Sequence, residues 1–383
     1  MAFASGEHST PYDALKKARE HVLLIIDPNE ARAQSVARLL TLTGLRAIVT
    51  LTTLQAFDRF LKERFMPRLI FVGRQEEIAS TIFSRFFQRL IQELRYEVPV
   101  LPLAPYALTD GLPSIADASV STTVHVISQQ HAMLLQAIWQ ILPSAQVPLK
   151  VADHTLVIEA LPKLGFTPRV TRNKHSYASH YYGELKAAKK VIAPEQWDIL
   201  LSDVGLAQYC KEENWPANTD ELMVSPEDFA LLTRAVMFSN PQQPLQHARN
   251  WADMVDDEMA RKAFLLFMVQ QMPKIIGEDR TIRALLNLLI SEINKRRGEE
   301  LAEWKRMKDG SFIFVFYSNL FTYGLLVDSK QPLCIMWESD FDFILKQTKL
   351  QSHWEMREIE CSSQTHTGPV SYTHLRAHET GRN

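Results

Sequence analysis

From residue 22 the chain alternates short, unbroken apolar runs with longer stretches whose apolar residues recur every three or four positions. Val22-Leu-Leu-Ile-Ile26 contains no polar residue and ends at Asp27-Pro28-Asn29, which predicts a strand buried on both faces and its exit loop. A helix is expected over 30–43, with Val36, Leu39 and Leu40 on one face and Gly44 ending it. The same reading predicts strands over 47–51, 69–72, 99–103 and 124–127. It predicts helices over 53–64, with Leu54, Phe57 and Leu61 on one side, over 80–94 and over 130–141. Strands alternating with helices at this spacing argue a doubly wound α/β sheet over 20–142, of the flavodoxin-like kind.

Beyond it the pattern changes twice. Helices are expected over 153–164, stopped by Gly165, and over 194–209, where Pro194 suits a first turn and Trp197, Leu200, Leu201 and Val204 form a stripe. Trp215-Pro216 and the prolines between 226 and 244 read as punctuation before a third region. There 245–303 is helical, with Ile282, Leu285, Leu286, Leu289 and Ile293 on one face. After the turn Lys308-Asp-Gly310 the period becomes that of a strand, Phe312-Ile-Phe-Val-Phe-Tyr317. Two apolar segments follow, 320–326 and 331–337, then a helix over 340–346 and a strand over 354–361. Helices followed by strands predict an α+β domain. The expected organisation is multidomain: a tail 1–19, an α/β domain 20–142, a helical middle region 143–240, an α+β domain 241–369, and a foreign segment 370–383.

Composition narrows the classes little. Hydrophobic content of 46% with 22% charged residues is ordinary globular material, and a formal charge of −2 gives no global attraction to nucleic acid or anionic lipid. No apolar run approaches the ~20 residues of a membrane span. The first residues lack the layout of a secretory signal. Three cysteines, Cys210, Cys334 and Cys361, do not make a disulfide framework. A cytoplasmic protein without membrane association is expected.

The element order over 20–142 and the opening Ile25-Ile-Asp-Pro-Asn29 resemble the response-regulator receiver family. That resemblance implies a carboxylate pair after the first strand, an acceptor Asp after the third, a hydroxyl after the fourth and a Lys after the fifth. Here Asp27 stands beside Pro28, the acceptor position is Gly73, the hydroxyl position falls near Ala104, and no Lys follows Val126-Ile-Ser128. One carboxylate with no acceptor cannot support aspartyl phosphorylation. The expectation is a pseudo-receiver with no phosphoacceptor that acts by docking a protein partner. An unrelated flavodoxin-like domain is the alternative.

The stretch 169–190 holds Arg169, Arg172, Lys174, Lys186, Lys189 and Lys190 against a single Glu184, with Tyr177, Tyr181 and Tyr182 interleaved. Such a patch could contact phosphates and stack bases. The plainer reading is a solvated face beside an aromatic packing cluster.

Pro332-Leu-Cys334 before a short helix, Glu358-Ile-Glu-Cys361 at a strand end, and Gly368 resemble the 4-vinyl-reductase domain family. The resemblance implies a small-molecule-binding domain in which a Glu and three Cys hold zinc beside an apolar pocket. Carried over, the metal ligands are Cys334, Glu358 and Cys361, with a fourth expected near position 370. Thiolates with a carboxylate suit tetrahedral Zn²⁺ in a structural role. Ordinary buried cysteines and a surface Glu are the alternative. Phe314, Phe321, Tyr323 and Trp337 are candidate walls for a flat hydrophobic ligand, although alternation turns only about half of each strand inward.

Val370-Ser-Tyr-Thr-His-Leu-Arg-Ala-His-Glu-Thr380 resembles one reading frame of a sequencing-library adapter. It implies a native chain interrupted near Pro369, a zinc set incomplete in this chain, and poor packing of 370–383.

No Gly-rich phosphate loop, nucleophile elbow or His-Glu-x-x-His helix is present, so no enzyme is expected. The expected function is a bacterial regulatory protein in which a small hydrophobic or aromatic ligand binds the C-terminal domain and the pseudo-receiver docks a partner. The alternatives are an accessory protein of tetrapyrrole metabolism and a nucleic-acid-binding regulator using the basic patch; homodimerisation is left open.

Overall fold

The computed structural model of the chain describes residues 22–74, 78–94, 97–103, 129–146, 165–167, 176–221, 223–260, 273–297, 302–317, 335–351, 353–360 and 371–377. Two compact units emerge. The first comprises Met1–Pro113, Ile127–Pro148 and Asp198–Ala207; the second comprises Ser114–Val126, Leu149–Trp197 and Gln208–Asn383.

The first unit is a parallel four-stranded sheet with flanking helices. Its strands are β1 (Val22–Ile26), β2 (Arg46–Thr50), β3 (Pro67–Val72) and β4 (Val100–Pro102), in the order β2-β1-β3-β4. Its helices are α1 (Glu30–Leu42), α2 (Thr53–Glu63), α3 (Thr81–Leu94) and α4 (Gln129–Ile141). Every residue of β1 is buried, as an unbroken apolar run requires when both faces are covered. Val22, Leu24 and Ile26 join Ala56 and Phe60 of α2 and Phe83, Phe86 and Leu90 of α3 in one core. Alternation turns Leu23 and Ile25 to the other face, where α1 packs on β1 and β2. On α4, buried His131 reaches Ser35 of α1 at 3.1 Å. Asn29 caps α1 by accepting the Arg32 N–H at 3.1 Å, and Gly44 follows the helix at φ +79°. The expected elements over 22–103 and 130–141 are all present to within three residues at each end; the expected fifth strand, 124–127, and the helix 153–164 lie outside the described residues.

The helix expected over 194–209 is shorter. α6 (Pro194–Asp203) stops because Gly205 takes φ +83°, after which Leu206 N–H returns to the Leu201 carbonyl at 2.7 Å. That turn belongs to Asp198–Ala207, the segment that joins the first unit. Its Leu201, Val204 and Leu206 are fully buried, each worth about 1.5–3 kcal/mol. Buried Asp203 accepts the Val49 N–H at 2.8 Å and both terminal nitrogens of Arg59 at 2.9 Å. Gln34 spans the segment by donating to the Ser202 carbonyl and accepting from the Ala207 N–H, and Arg38 donates to the Gly205 carbonyl. Burial pushes the Asp203 carboxyl up, against the opposing pull of Arg59 and the Val49 amide. Burial opposes the charge on Arg59 too, but Asp203 and Glu63 outweigh it and hold the guanidinium above its usual value.

In the second unit, α5 (Ala178–Val191), α7 (Pro226–Ser239) and α8 (Pro244–Ala260) pack together, and α8 packs on α10 (Ile335–Thr348). An antiparallel sheet is formed by β7 (Ala302–Arg306), β8 (Phe312–Phe316), β9 (Trp354–Glu360) and β10 (Ser371–Ala377), in the order β7-β8-β10-β9. The remaining pieces are a two-residue ribbon, β5 (Ser176–Tyr177) with β6 (Met223–Val224), and α9 (Glu278–Arg297).

Five expectations change here. α5 was masked in the sequence by its lysines and tyrosines. α7 begins at Pro226, a first-turn proline under the Ser225 cap rather than a breaker. The helical reading over 245–303 runs too far by at least its last two residues, because Ala302 and Glu303 already pair with β8 across the Lys308–Gly310 turn, where Gly310 takes φ +88°. α10 begins at Ile335, five residues before the predicted start. Residues 371–377, expected to pack poorly, form β10 between β8 and β9. Tyr372 and Thr373 are residue types with strand preference, and β8 offers the segment a row of main-chain groups to pair with. Residues 378–383 lie outside the described residues.

Among the described residues no helix is long and apolar enough to cross a membrane.

Two stability tests follow. Burial lowers the His131 imidazole below its usual value. A depressed folded value means the stability it contributes is complete above about pH 6.5, the unfolded value, and is lost as pH falls through the folded value. Thermal unfolding of His131→Leu should therefore depend less on pH below neutrality than the wild type; an unchanged acid slope would contradict this. Asp203→Ala, which leaves the Val49 N–H without its acceptor and Arg59 with Glu63 as its remaining acidic partner, should cost about 2–4 kcal/mol in denaturant unfolding.

Candidate functional site

The candidate site of the first unit sits just past the carboxyl ends of β1 and β3, the two central strands. Asp27 follows β1 and is completely buried. Its Oδ1 accepts the Asn29 N–H at 2.9 Å, the short-range bond that turns the chain into α1. Arg32, in the first turn of α1, forks onto it: Nε to Oδ2 at 2.6 Å and Nη2 to Oδ1 at 2.9 Å. The same Nη2 donates to the Gly73 carbonyl at 3.1 Å. The hydrogen bond from Arg32 to Asp27, outweighing burial, raises the guanidinium above its usual value. A buried carboxylate needs a cation and filled lone pairs; Arg32 and the Asn29 amide supply both.

Gly73 closes the opposite wall. Its N–H donates to the Ile26 carbonyl at 2.9 Å, continuing β3 alongside β1. A Cβ placed there would lie 2.0 Å from Asp27 Oδ1 and 2.2 Å from its Cγ, so Asp27 fills the space a side chain at 73 would need. Glycine is required by the close approach of the carboxylate, not by an unusual φ. The structure thus joins Asp27 to Gly73, the two positions singled out in the sequence, and adds Arg32, which the sequence reading missed. The usable signal was the i, i+5 spacing that brings the first turn of a helix back over the loop preceding it. Ala104 and Ser128 lie outside the described residues.

In the second unit the candidate residues divide. Lys186, Lys189 and Lys190 share the exposed side of α5, while Arg169, Arg172 and Lys174 lie outside the described residues. Lys189 pairs with Glu212 at 2.6 Å, its Nζ 5.7 Å from the centre of the Trp215 ring. Tyr181 is fully buried, 4.8 Å from Phe229 and 5.2 Å from Tyr209 between ring centres, and donates to the Asp228 carbonyl. Tyr182 packs against Trp215 at 5.8 Å. These rings build a core.

Phe314 is likewise packed, 4.5 Å from Phe316 and 5.0 Å from Phe341. Phe312 extends that cluster to Trp304 and Trp354. Trp337 lies in the first turn of α10; Phe321 and Tyr323 lie outside the described residues. Of the proposed zinc ligands, Glu358 is on β9, opposite Thr373 of β10, and Cys334 and Cys361 lie outside the described residues. Among the described residues no group of three or more His, Cys, Asp or Glu is gathered as a metal site. Comparison with protein-family models and with curated protein sequences finds no match to this chain.

The Asp27 site makes a direct prediction. Gly73→Ala must push Asp27 off Arg32 or shift the β3 exit, at a cost of about 2–4 kcal/mol in denaturant unfolding. Unchanged stability in that variant would show the wall to be open.

Proposed function

We propose that the chain is a non-enzymatic regulatory protein of the cytoplasm, in which the first unit is a receiver-like domain that signals by docking a protein partner rather than by phosphorylation. The observation that carries this reading is the closed Asp27–Arg32–Gly73 site. Phosphoryl transfer to a receiver needs an acceptor carboxylate and a divalent ion beside it. Here the acceptor position is a glycine with no room for a side chain, and the carboxylate is engaged by a guanidinium. The strand order β2-β1-β3-β4, with the site past the ends of the strands where that order reverses, supports the receiver-like reading.

The C-terminal region is proposed as a 4-vinyl-reductase-like domain that binds a small hydrophobic ligand, with Cys334, Glu358 and Cys361 as its zinc ligands. What supports this reading is the pair of segments Pro332-Leu-Cys334 and Glu358-Ile-Glu-Cys361; the rings of β8 fill a core on one another. Zinc bound there would be structural, tying a strand end to a loop.

Two measurements separate the halves of the proposal. Magnesium with acetyl phosphate or beryllium fluoride should leave the melting temperature and the amide spectrum of residues 22–103 unchanged; a phosphoryl adduct by mass spectrometry would overturn the docking reading. A thermal-shift screen with planar aromatics, tetrapyrroles and lipids should give a saturable rise for at least one class, and a flat screen would remove the ligand-binding half.

A further inference from the structure

The outer strand of the first unit's sheet is covered at Val49 by side chains, one of them drawn from 154 residues away. β2 is the terminal strand in the order β2-β1-β3-β4, and it pairs with β1 over five residues without a register shift. In a parallel pair, alternate residues turn both main-chain groups toward the neighbour. Thr50 faces inward, its carbonyl accepting the Asp27 N–H at 3.0 Å. Val49 faces the other way, where a further strand would add. Its N–H donates to Asp203 Oδ1 at 2.8 Å, and its carbonyl accepts from Arg59 Nη1 at 3.2 Å. On either side, the Leu51 N–H donates to Gln55 Oε1 at 2.8 Å and the Leu45 N–H to the Leu40 carbonyl at 2.8 Å.

The strand has little protection of its own. Edge strands commonly avoid pairing through a proline, a bulge or an inward charge. Arg46-Ala-Ile-Val-Thr50 has no proline and no bulge, its one charge is at the first residue, and Ala47, Ile48 and Val49 are buried. Beyond Arg46, such an apolar edge rich in β-branched residues offers its main-chain groups to a second copy of itself. β4, by contrast, is three residues long and ends on Pro102. The guard on β2 is therefore imported: Gln55 and Arg59 from α2, and Asp203 from Asp198–Ala207.

We propose that Asp198–Ala207 is an edge guard, and that the occupant it excludes is the β2 edge of a second copy of this chain. Gly205 makes the guard removable without touching the sheet. A Cβ at 205 would lie 2.8 Å from the Arg38 main-chain nitrogen and 2.9 Å from the Gln34 carbonyl oxygen, at a φ of +83° that a β-branched residue resists.

The experiment uses the full chain carrying Gly205→Val, examined by sedimentation over a range of loading concentrations. The expected result is a weight-average mass that climbs toward twice the wild-type value as loading rises. Amide exchange at Val49 should be faster than wild type at low loading and slow again at high loading. Adding Val49→Pro, which deletes the outward N–H, should return the mass to the wild-type curve. Association that survives Val49→Pro would mean that apolar surface alone is responsible and would overturn the proposal. A folded Gly205→Val with the wild-type mass at every loading would overturn it as well. Should that variant not fold, the milder Gly205→Ala gives the same reading, with association expected at higher loading and a wild-type curve counting against the guard.

Discussion

Asp27 sits at the end of a strand buried on both faces, with no solvent of its own. An ionised carboxylate there must be matched by a cation and by donors for its lone pairs, or it would neutralise or unfold its surroundings. The chain meets that demand from within a few residues: the Asn29 amide, and the forked guanidinium of Arg32. The rest of the site follows. The turn into α1 is fixed by the Asn29 bond, Arg32 is held in the first helical turn, and its second terminal nitrogen ties the exit of β3 through the Gly73 carbonyl. Because the carboxylate occupies the space beside position 73, only glycine fits there. The functional proposal is the consequence of this closure, since a site whose cation is covalently part of the chain has no need of an exchangeable one.

A second ion pair organises the β2 edge of the same unit. Asp203 and Arg59 are both largely withdrawn from water, and each is deprived of hydration that the other replaces. Such a pair adds little net stability compared with apolar packing. Leu201, Val204 and Leu206 do more to hold Asp198–Ala207 in place. What the polar groups contribute is specificity: they fix which main-chain atoms of β2 are covered, and with what.

The alternating architecture of the first unit was legible because its signals are local. An apolar run of five, the exit loop Asp27-Pro28-Asn29 and a glycine at 44 place β1, α1 and β2 with little help from tertiary structure. The place of Gly73 at the exit of β3 was equally readable once the element order was set. Arg32 was missed, because only its i, i+5 spacing from Asp27 marks an otherwise exposed-looking arginine of a first helical turn as the partner of a buried acid. Asp203 was still less accessible, as its partner is 144 residues away. In the second unit, proline and charge misled. Pro226 looks like a breaker but starts α7, and the lysines of α5 hide a helix whose other side carries Tyr181 and Leu185 into the core. β10 shows the reverse case, where a segment with no expected place in the fold supplies ordinary strand chemistry to an available edge.

The claim on which this account depends is that Asp27 is already neutralised by the chain's own cation. Paramagnetic line broadening by Mn²⁺, read at the backbone amides of Asp27, Asn29 and Gly73, tests it most directly. The account predicts that these three signals keep their widths through a titration that broadens exposed acidic sites. Selective broadening of the same three amides would show that the site accepts a divalent ion despite Arg32, and would contradict the account.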